Sequence, residues 1–441
     1  MRDTYQNIFA KYKITVPADT KVSAARTMAA TATSLSNTGA VATNLEQSTT
    51  TVMTQRLQSA DNHNVASVKT LTKTTSLGSH TRTFAAEQTS VTTTPTTSSA
   101  TPAQVVALTT PVVPPPSIRP FPAPVTTQTV VVPDTIDATG TDDVSGALVA
   151  FIATVADGSL INFPSAAVYR IDHSIWFDHR HNLIFDGNGC TLKYTSITGT
   201  SQAYSLWYDG SPGSDIWIKN FVLIGSSPYP GVYTPGTSPT GGEGQYGVVV
   251  KSGRFEVSGC TISAVWGDGL YVDGGASDVW FHDNHVISAG RNGLSVISGM
   301  NVIAERNAFD DVGLMAFDVE PNEASESCTN IIFRNNTVGT YGTPGSGLDP
   351  YAFAADSTAE AVIDGIVVDG NIVTGGSLAT YIDSVGAVRM TRITFTKNVG
   401  QVADTGPVIY FKHVDSLMVT GNVQPLSSSV LAYNTDCTGA R

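Results

Sequence analysis

Phe281-His282-Asp283-Asn284-His285-Val286, Ala304-Glu305-Arg306-Asn307-Ala308-Phe309 and Phe333-Arg334-Asn335-Asn336-Thr337-Val338 repeat one pattern: apolar, two variable residues, Asn, one variable residue, apolar. The pattern continues through Val368-Asp369-Gly370-Asn371-Ile372-Val373, Phe395-Thr396-Lys397-Asn398-Val399 and Val419-Thr420-Gly421-Asn422-Val423. Upstream, Val257-Ser258-Gly259-Cys260-Thr261-Ile262 places Cys at the Asn position. Phe185-Asp186-Gly187-Asn188 reads as the start of the series, and Ile218-Lys219-Asn220-Phe221 as a shortened copy. From Cys260 onward the spacings are 24, 23, 29, 35, 27 and 24 residues. A period near 24 with expansions exceeds a hairpin meander and is too rich in strand-forming residues for helical repeats. It suits a parallel β-helix, in which each coil contributes three short strands and adjacent coils stack at about 4.8 Å. About nine coils would rise roughly 40 Å.

Asn at one corner of every coil has a physical reason: it tolerates a left-handed backbone, and stacked amides hydrogen-bond along the axis. A second register repeats with the first. Gly269-Leu270-Tyr271-Val272, Gly293-Leu294-Ser295-Val296 and Phe317-Asp318-Val319 each follow the Asn corner and alternate inward apolar with outward residues. Ahead of them, Thr141 to Val155 carries apolar residues at 144, 148, 151, 152 and 155 behind a Thr/Asp start, which predicts an amphipathic helix with its N-cap. That helix would plug the open end of the solenoid.

Composition divides the chain at Pro133. Residues 1–133 hold 2 of the 40 glycines, 30 threonines and 10 basic against 5 acidic residues; residues 134–441 hold 38 glycines and 14 basic against 32 acidic residues, a balance of −18. Residues 1–94 read as an attachment region, extended or a weak coiled coil, with loose heptad spacing at Met28, Leu35, Ala42, Leu45 and Val52. Residues 95–133 read as a Pro/Thr-rich linker, with nine prolines between Pro95 and Pro124 that favour polyproline II. Residues 134–441 form the β-helix domain. No run of 18 apolar residues occurs, so no membrane insertion is expected. The N-terminus lacks the apolar stretch of a Sec signal. The acidic domain argues against nucleic acid. Cys190, Cys260, Cys328 and Cys437 form no CxxC pair, which points to buried thiols rather than a zinc site or a disulfide framework.

The run Ile136 to Asp143, the predicted helix, and then Ile161-Asn162-Phe163-Pro164, Tyr169-Arg170-Ile171 and Leu183 to Gly189 resemble the start of pectate-lyase-like right-handed parallel β-helix proteins. That superfamily includes phage tailspikes and polysaccharide-degrading enzymes. The resemblance spans about residues 134–425 and implies an all-β, single-stranded right-handed parallel β-helix with an N-terminal capping helix. An extended or helical low-complexity region precedes it. The superfamily holds lyases, hydrolases and inert members, so the reaction is left open.

The core of such a solenoid is solid, so chemistry belongs on its outer faces. Asp318 and Glu320 flank inward Val319, and their Cα atoms in a strand lie about 6.7 Å apart. Two carboxyls so placed can straddle a glycosidic bond, with mutual repulsion raising one pKa. Asp273 falls two coils earlier in the same register and completes the candidate catalytic set. Tyr271, Trp266, Asp268, Arg291 and Asp383 are candidate substrate-binding residues, the aromatics for stacking on sugar rings. His282 and His285 read as turn residues, and Asp310-Asp311 as structural. No cofactor is expected; calcium is an alternative occupant of Asp273, Asp318 and Glu320. The Gly-His-Gly and Arg-x-Lys patterns of polygalacturonase-type hydrolases are absent. A −18 domain would repel a polyanionic substrate, which favours a neutral glycan. Two insertions, around 225–246 and 339–362, bring Tyr229, Tyr233, Tyr246, Tyr341 and Tyr351 toward a binding groove.

The expectation is a phage tail spike or fibre protein of the virion that binds, and in one version cleaves, a host surface polysaccharide. It would meet other tail proteins through its N-terminal region, as a homotrimer. A secreted bacterial polysaccharide lyase or hydrolase, and a non-catalytic adhesive solenoid, are the alternatives.

Overall fold

A computed structural model describes residues 49–58, 64–73 and 119–441, apart from short stretches at 196–205, 211–212, 229, 234–243, 344–349, 358–359, 385–387, 403–408, 425–431 and 440–441. The chain divides into two units, Met1–Val112 and Val113–Arg441. In the first, Thr49–Gln58 and Asn64–Lys73 pair as antiparallel strands. Val52 therefore lies in a strand, in keeping with the Thr-rich, β-favouring composition. The other loose heptad positions, Met28, Leu35, Ala42 and Leu45, fall outside the described residues.

The second unit is a solenoid of three sheets with 13, 10 and 10 strands, every pairing within them parallel. The first sheet begins at Gln128–Val131, upstream of the compositional break, and runs through Gly253–Ser258, Ala276–His282, Gly299–Glu305 and Ser327–Arg334. The second runs from Thr139–Asp143 through Thr261–Ser263 and His285–Ile287 to Val399–Gly400. The third runs from Ile175–Phe177 through Leu270–Val272, Leu294–Val296, Phe317–Val319, Phe353–Ser357 and Thr380–Ser384 to Ile409–Lys412 and Ala432–Thr435.

The expected asparagine ladder is present between the first and second sheets. Each Asn Oδ1 accepts two N–H groups of the preceding coil's Asn, its backbone amide and its Nδ2. The series runs from Asn284 onto Asn307 (3.0 and 3.1 Å), then Asn336, Asn371, Asn398 and Asn422. Each Nδ2 also donates to a strand carbonyl of the preceding coil, as Asn336 does to Ala304 (3.0 Å). The Cys260 amide closes the series on Asn284 (2.9 Å).

Two details differ from the sequence reading. The left-handed residue is the one before the ladder Asn: Gly259, Asp283, Arg306, Asn335, Gly370, Lys397 and Gly421 have φ between 54° and 69°. The ladder Asn is required for its amide rather than for its backbone. Register also shows that Asn188 and Asn220 are not ladder residues. Pairing of Thr191 with Val222 and of Val222 with Thr261 aligns Cys190, Phe221 and Cys260 with Asn284. Asn188 and Asn220 have φ of 49° and 60° and make the corner instead.

Inside, Phe281, Phe309, Phe333, Phe353, Phe395 and Phe411 succeed one another at centroid distances of 5.4–6.3 Å. The helix α1 (Ser145–Thr154) starts later than the predicted Thr141, because Thr139–Asp143 is a strand. Asp143 Oδ1 accepts from the Ser145 amide (3.0 Å), and Leu148 and Ile152 are buried at the end of the core. Arg180 Nη1 donates to the Ile152 carbonyl (2.8 Å) at the C-terminal turn, where the helix dipole favours a cation. No described helix is long and apolar enough to cross a membrane. All four cysteines are free thiols; Cys190, Cys260 and Cys328 are buried and Cys437 is partly so.

The ladder predicts a graded cost. Asn336→Ala strips partners from buried amide and carbonyl groups on both sides and should destabilise the solenoid by about 3 kcal/mol. Asn422→Ala, at the partly exposed end, should cost about 1 kcal/mol. Equal losses in denaturant unfolding would contradict the hydrogen-bonded ladder.

Candidate functional site

The third sheet carries an unusual outer face. Phe317 and Val319 point into the core, so Asp318 and Glu320 project outward as expected, yet both are covered, at 5% and 6% exposure. Register places Tyr271, Ser295, Asp318, Ala354, Tyr381 and Tyr410 in one column. In the neighbouring column Asp356 pairs with Asp383, which pairs with Lys412. The strand directions put Glu320 one coil before Asp356, and Asp273 two coils before Glu320 with Ile297 between them. Successive residues of a column lie about 4.8 Å apart.

The carboxylates are tied into the scaffold by a polar network. Asn292 Nδ2 donates to Asp318 Oδ2 (3.0 Å) and to Ser295 Oγ (3.1 Å). Ser295 Oγ donates to Asp268 Oδ2 (2.9 Å), whose other oxygen accepts the Asn292 amide (2.9 Å). Arg291 Nε lies 3.8 Å from Asp268, which is wholly buried. At the far end Asp383 accepts from Tyr381 Oη (3.1 Å), lies 3.2 Å from Lys412 Nζ and faces His413 Nδ1 (3.0 Å).

Five carboxyls, Asp268, Asp318, Glu320, Asp356 and Asp383, thus share a water-poor surface with Arg291, Lys412 and His413. Ionising all five would leave uncompensated buried charge, which costs several kcal/mol per ion, so protons must be retained. Burial, and next the Glu320 charge, hold the Asp318 carboxyl well above the ordinary range, with Arg291 opposing. Burial, then Asp383 and Glu320, push Asp356 up to about 7. Asp268 is also raised, by burial. One oxygen of Asp356, Oδ1, is buried without a hydrogen-bond partner, although the residue as a whole is partly exposed. Asp356 is therefore the proton-holding member of the group that meets solvent.

Aromatic rings flank the acids. Tyr351, Tyr381 and Tyr410 stack in series at 5.3 and 5.4 Å beyond Asp356. On the other side Tyr271 stacks on Tyr246 at 4.2 Å, so one of its faces is already occupied.

Of the residues singled out in the sequence, Asp318, Glu320, Asp268, Arg291 and Asp383 come together on this face. Asp273 stands apart from them, 3.8 Å from Lys251 Nζ. Trp266 is buried, with an indole N–H that lacks a partner, so it offers no open ring face. His282 lies on the first sheet, its Nε2 3.0 Å from Glu256. Of the loop tyrosines, Tyr341 donates to the Ser377 carbonyl (2.8 Å), and Tyr229 lies outside the described residues. The sequence reading missed Asp356, because its strand follows a long insertion and lacks the Gly-Leu-x-Val form. The alternation Phe353-Ala354-Ala355-Asp356 carried the available signal. Among the described residues no group of three or more His, Cys, Asp or Glu side chains has the geometry to hold a metal ion.

Residues 161–350 match the family model described as a right handed beta helix region. The resemblance to the pectate-lyase-like right-handed parallel β-helix superfamily therefore stands, at the level of the fold. No curated protein matches the sequence. Among solved structures, the alginate lyase of Paenibacillus sp. str. FPU-7 is 15% identical, with 70% of this chain and 99% of that chain covered at a TM-score of 0.42. PfbA, a surface adhesin of Streptococcus pneumoniae, is 11% identical over 69% and 89% of the two chains at 0.38. The tailspike of Acinetobacter baumannii bacteriophage Fri1, a capsular polysaccharide depolymerase, is 13% identical at 0.37. The alignment takes in 72% of this chain and 62% of the tailspike, less than two thirds of its length.

The raised Asp356 carboxyl has a measurable consequence. Its folded pKa lies above the unfolded value of 3.8, so the native state binds the extra proton between about pH 4 and pH 7. Its contribution to stability is full below pH 4 and is lost as pH rises through 7. Asp356→Asn removes this term, so its thermal midpoint should gain on wild type between pH 4 and pH 8. Parallel profiles would contradict the raised carboxyl.

Proposed function

We propose that this protein binds a neutral polysaccharide along the outer face of its third sheet and hydrolyses a glycosidic bond beside Asp356. The observation that carries the reading is a proton-holding carboxyl at the solvent edge of a buried acidic group. A general acid must hold a proton at working pH and reach the leaving oxygen; Asp356 meets the first condition through burial and the second through its partial exposure. Glu320, one coil earlier, is the ionised partner that assists attack from the other side of the bond. Asp318, held behind it by Asn292, keeps the local charge low by carrying a proton. The Tyr351–Tyr381–Tyr410 series supplies flat apolar surface for sugar rings. No step in this chemistry requires a metal, so activity should persist in EDTA; loss in EDTA would favour calcium as the occupant.

The setting we propose is the phage tail. Support comes from the layout of a Thr- and Pro-rich segment leading into a solenoid, which suits a tethered receptor-reading protein. In that setting the partners are other tail proteins and a host surface glycan, and the assembly is a homotrimer, which light scattering measures directly. The adhesive alternative differs in one respect, that glycan binds and survives.

Asp356→Asn and Glu320→Gln should each lower kcat by about 10²–10⁴-fold on a glycan that wild type depolymerises, with modest change in KM. Tyr381→Ala should raise KM chiefly. Reducing-end release without ultraviolet-absorbing unsaturated product identifies hydrolysis; unsaturated product identifies a lyase. Full activity in both carboxyl variants would refute the assignment.

A further inference from the structure

The first sheet presents a second buried carboxylate in an unexpected place. Trp217, Glu256 and Trp280 occupy one column in three successive coils, so the two indoles stand about 9.6 Å apart with the carboxylate between them. Glu256 is wholly buried although its side chain projects from the outer face. What covers it is the chain itself. Arg119 Nη1 donates to Glu256 Oε1 (3.3 Å) and Nη2 to Oε2, a bidentate pair. The guanidinium carbon lies 4.9 Å from the Trp217 ring and 5.5 Å from that of Trp280. Phe121 meets Trp280 edge-on at 6.5 Å, Pro124 is buried, and the Val125 amide donates to Asn182 Oδ1 (3.3 Å).

The walls of this slot are held by their own bonds. Trp217 Nε1 donates to Ser258 Oγ (2.8 Å) and Trp280 Nε1 to Glu305 Oε1 (3.0 Å), while Glu305 is paired with Arg306 and Arg334 (2.7 Å each). His282 stacks on Trp280 at 3.6 Å and sets its Nε2 3.0 Å from Glu256. The aromatic positions therefore do not depend on the arginine for their orientation. A planar cation between two indoles over a carboxylate gains stacking, cation–π attraction and paired hydrogen bonds at once, which an ammonium cannot reproduce. The segment Arg119-Pro120-Phe121-Pro122-Ala123-Pro124 is prolyl at every second position. Such a segment loses little conformational entropy on docking to an aromatic groove.

We propose that Trp217, Glu256 and Trp280 form a recognition slot for an arginine-led, proline-rich segment, filled in cis by residues 119–124. The slot fixes the point at which the tether joins the solenoid. It lies on a different sheet from the acidic face, so anchoring leaves that face free.

The test uses the full chain. Arg119→Ala should raise proteolytic cleavage within residues 113–127 by about tenfold or more, through local release of the segment. Arg119→Lys should give a smaller increase. A fluorescent peptide spanning residues 117–125 should bind the Arg119→Ala chain, quench its tryptophan emission, and fail to bind wild type, whose slot is filled. It should also fail on Arg119→Ala combined with Glu256→Gln. Should that double variant unfold, Arg119→Ala with Trp217→Leu serves the same purpose. Unchanged cleavage in Arg119→Ala, or a peptide that binds wild type and variant alike, overturns the proposal. A fall in assembly mass on Arg119→Ala would show donation by a neighbouring copy and overturn the assignment in cis.

Discussion

The hydrogen bond from one asparagine amide to the asparagine above it is the constraint on which the solenoid rests. At this corner the backbone turns from the first sheet into the second and leaves an amide N–H that no strand can satisfy. An unpaired group of that kind, buried, costs about 1–3 kcal/mol. Asn answers it with one side-chain oxygen and spends its own N–H on the coil before. The bond is satisfied only if the next coil carries Asn in the same place, so each coil depends on its neighbour. The left-handed residue just ahead, Asp283 or Lys397 for example, is the backbone cost of the turn.

This interdependence is why the fold was readable. A ladder residue must recur, and a recurring polar residue between apolar ones stands out in sequence. The outward register of the third sheet was also readable, since Leu270, Leu294 and Phe317 mark the inward positions and Tyr271, Ser295 and Asp318 follow from them. What was not readable depends on turns of variable length. Asp356 joins the acidic group through stacking across a 35-residue interval between Asn336 and Asn371, and no spacing rule carries a side chain over such a distance. Covering is equally invisible: Asp318 and Glu320 read as outward carboxylates, and whether outward means solvated depends on what packs over them. The Arg119–Glu256 pair, separated by 137 residues, had no local signature at all.

Two buried acidic sites on one solenoid are handled by opposite means. On the first sheet a carboxylate is neutralised by a guanidinium of complementary shape, and the pair fastens two segments. On the third sheet the carboxyls outnumber the cations beside them, and protons make up the difference. A charge balanced by a fixed cation is structural. A charge balanced by a proton can be given up and taken back, which is the physical distinction between a clasp and a reactive group.

The unequal coil lengths set against an unvarying ladder have a consequence for how such a chain can change over time. Coils of 23 to 35 residues all advance the structure by one hydrogen-bonded step, so length added in a turn alters what overhangs a sheet and leaves the axial pitch untouched. The solenoid behaves as a ruler with fixed graduations and exchangeable attachments. Substituting or lengthening one turn can present a new surface, and a whole coil can be gained or lost, while every other side chain keeps its height along the axis.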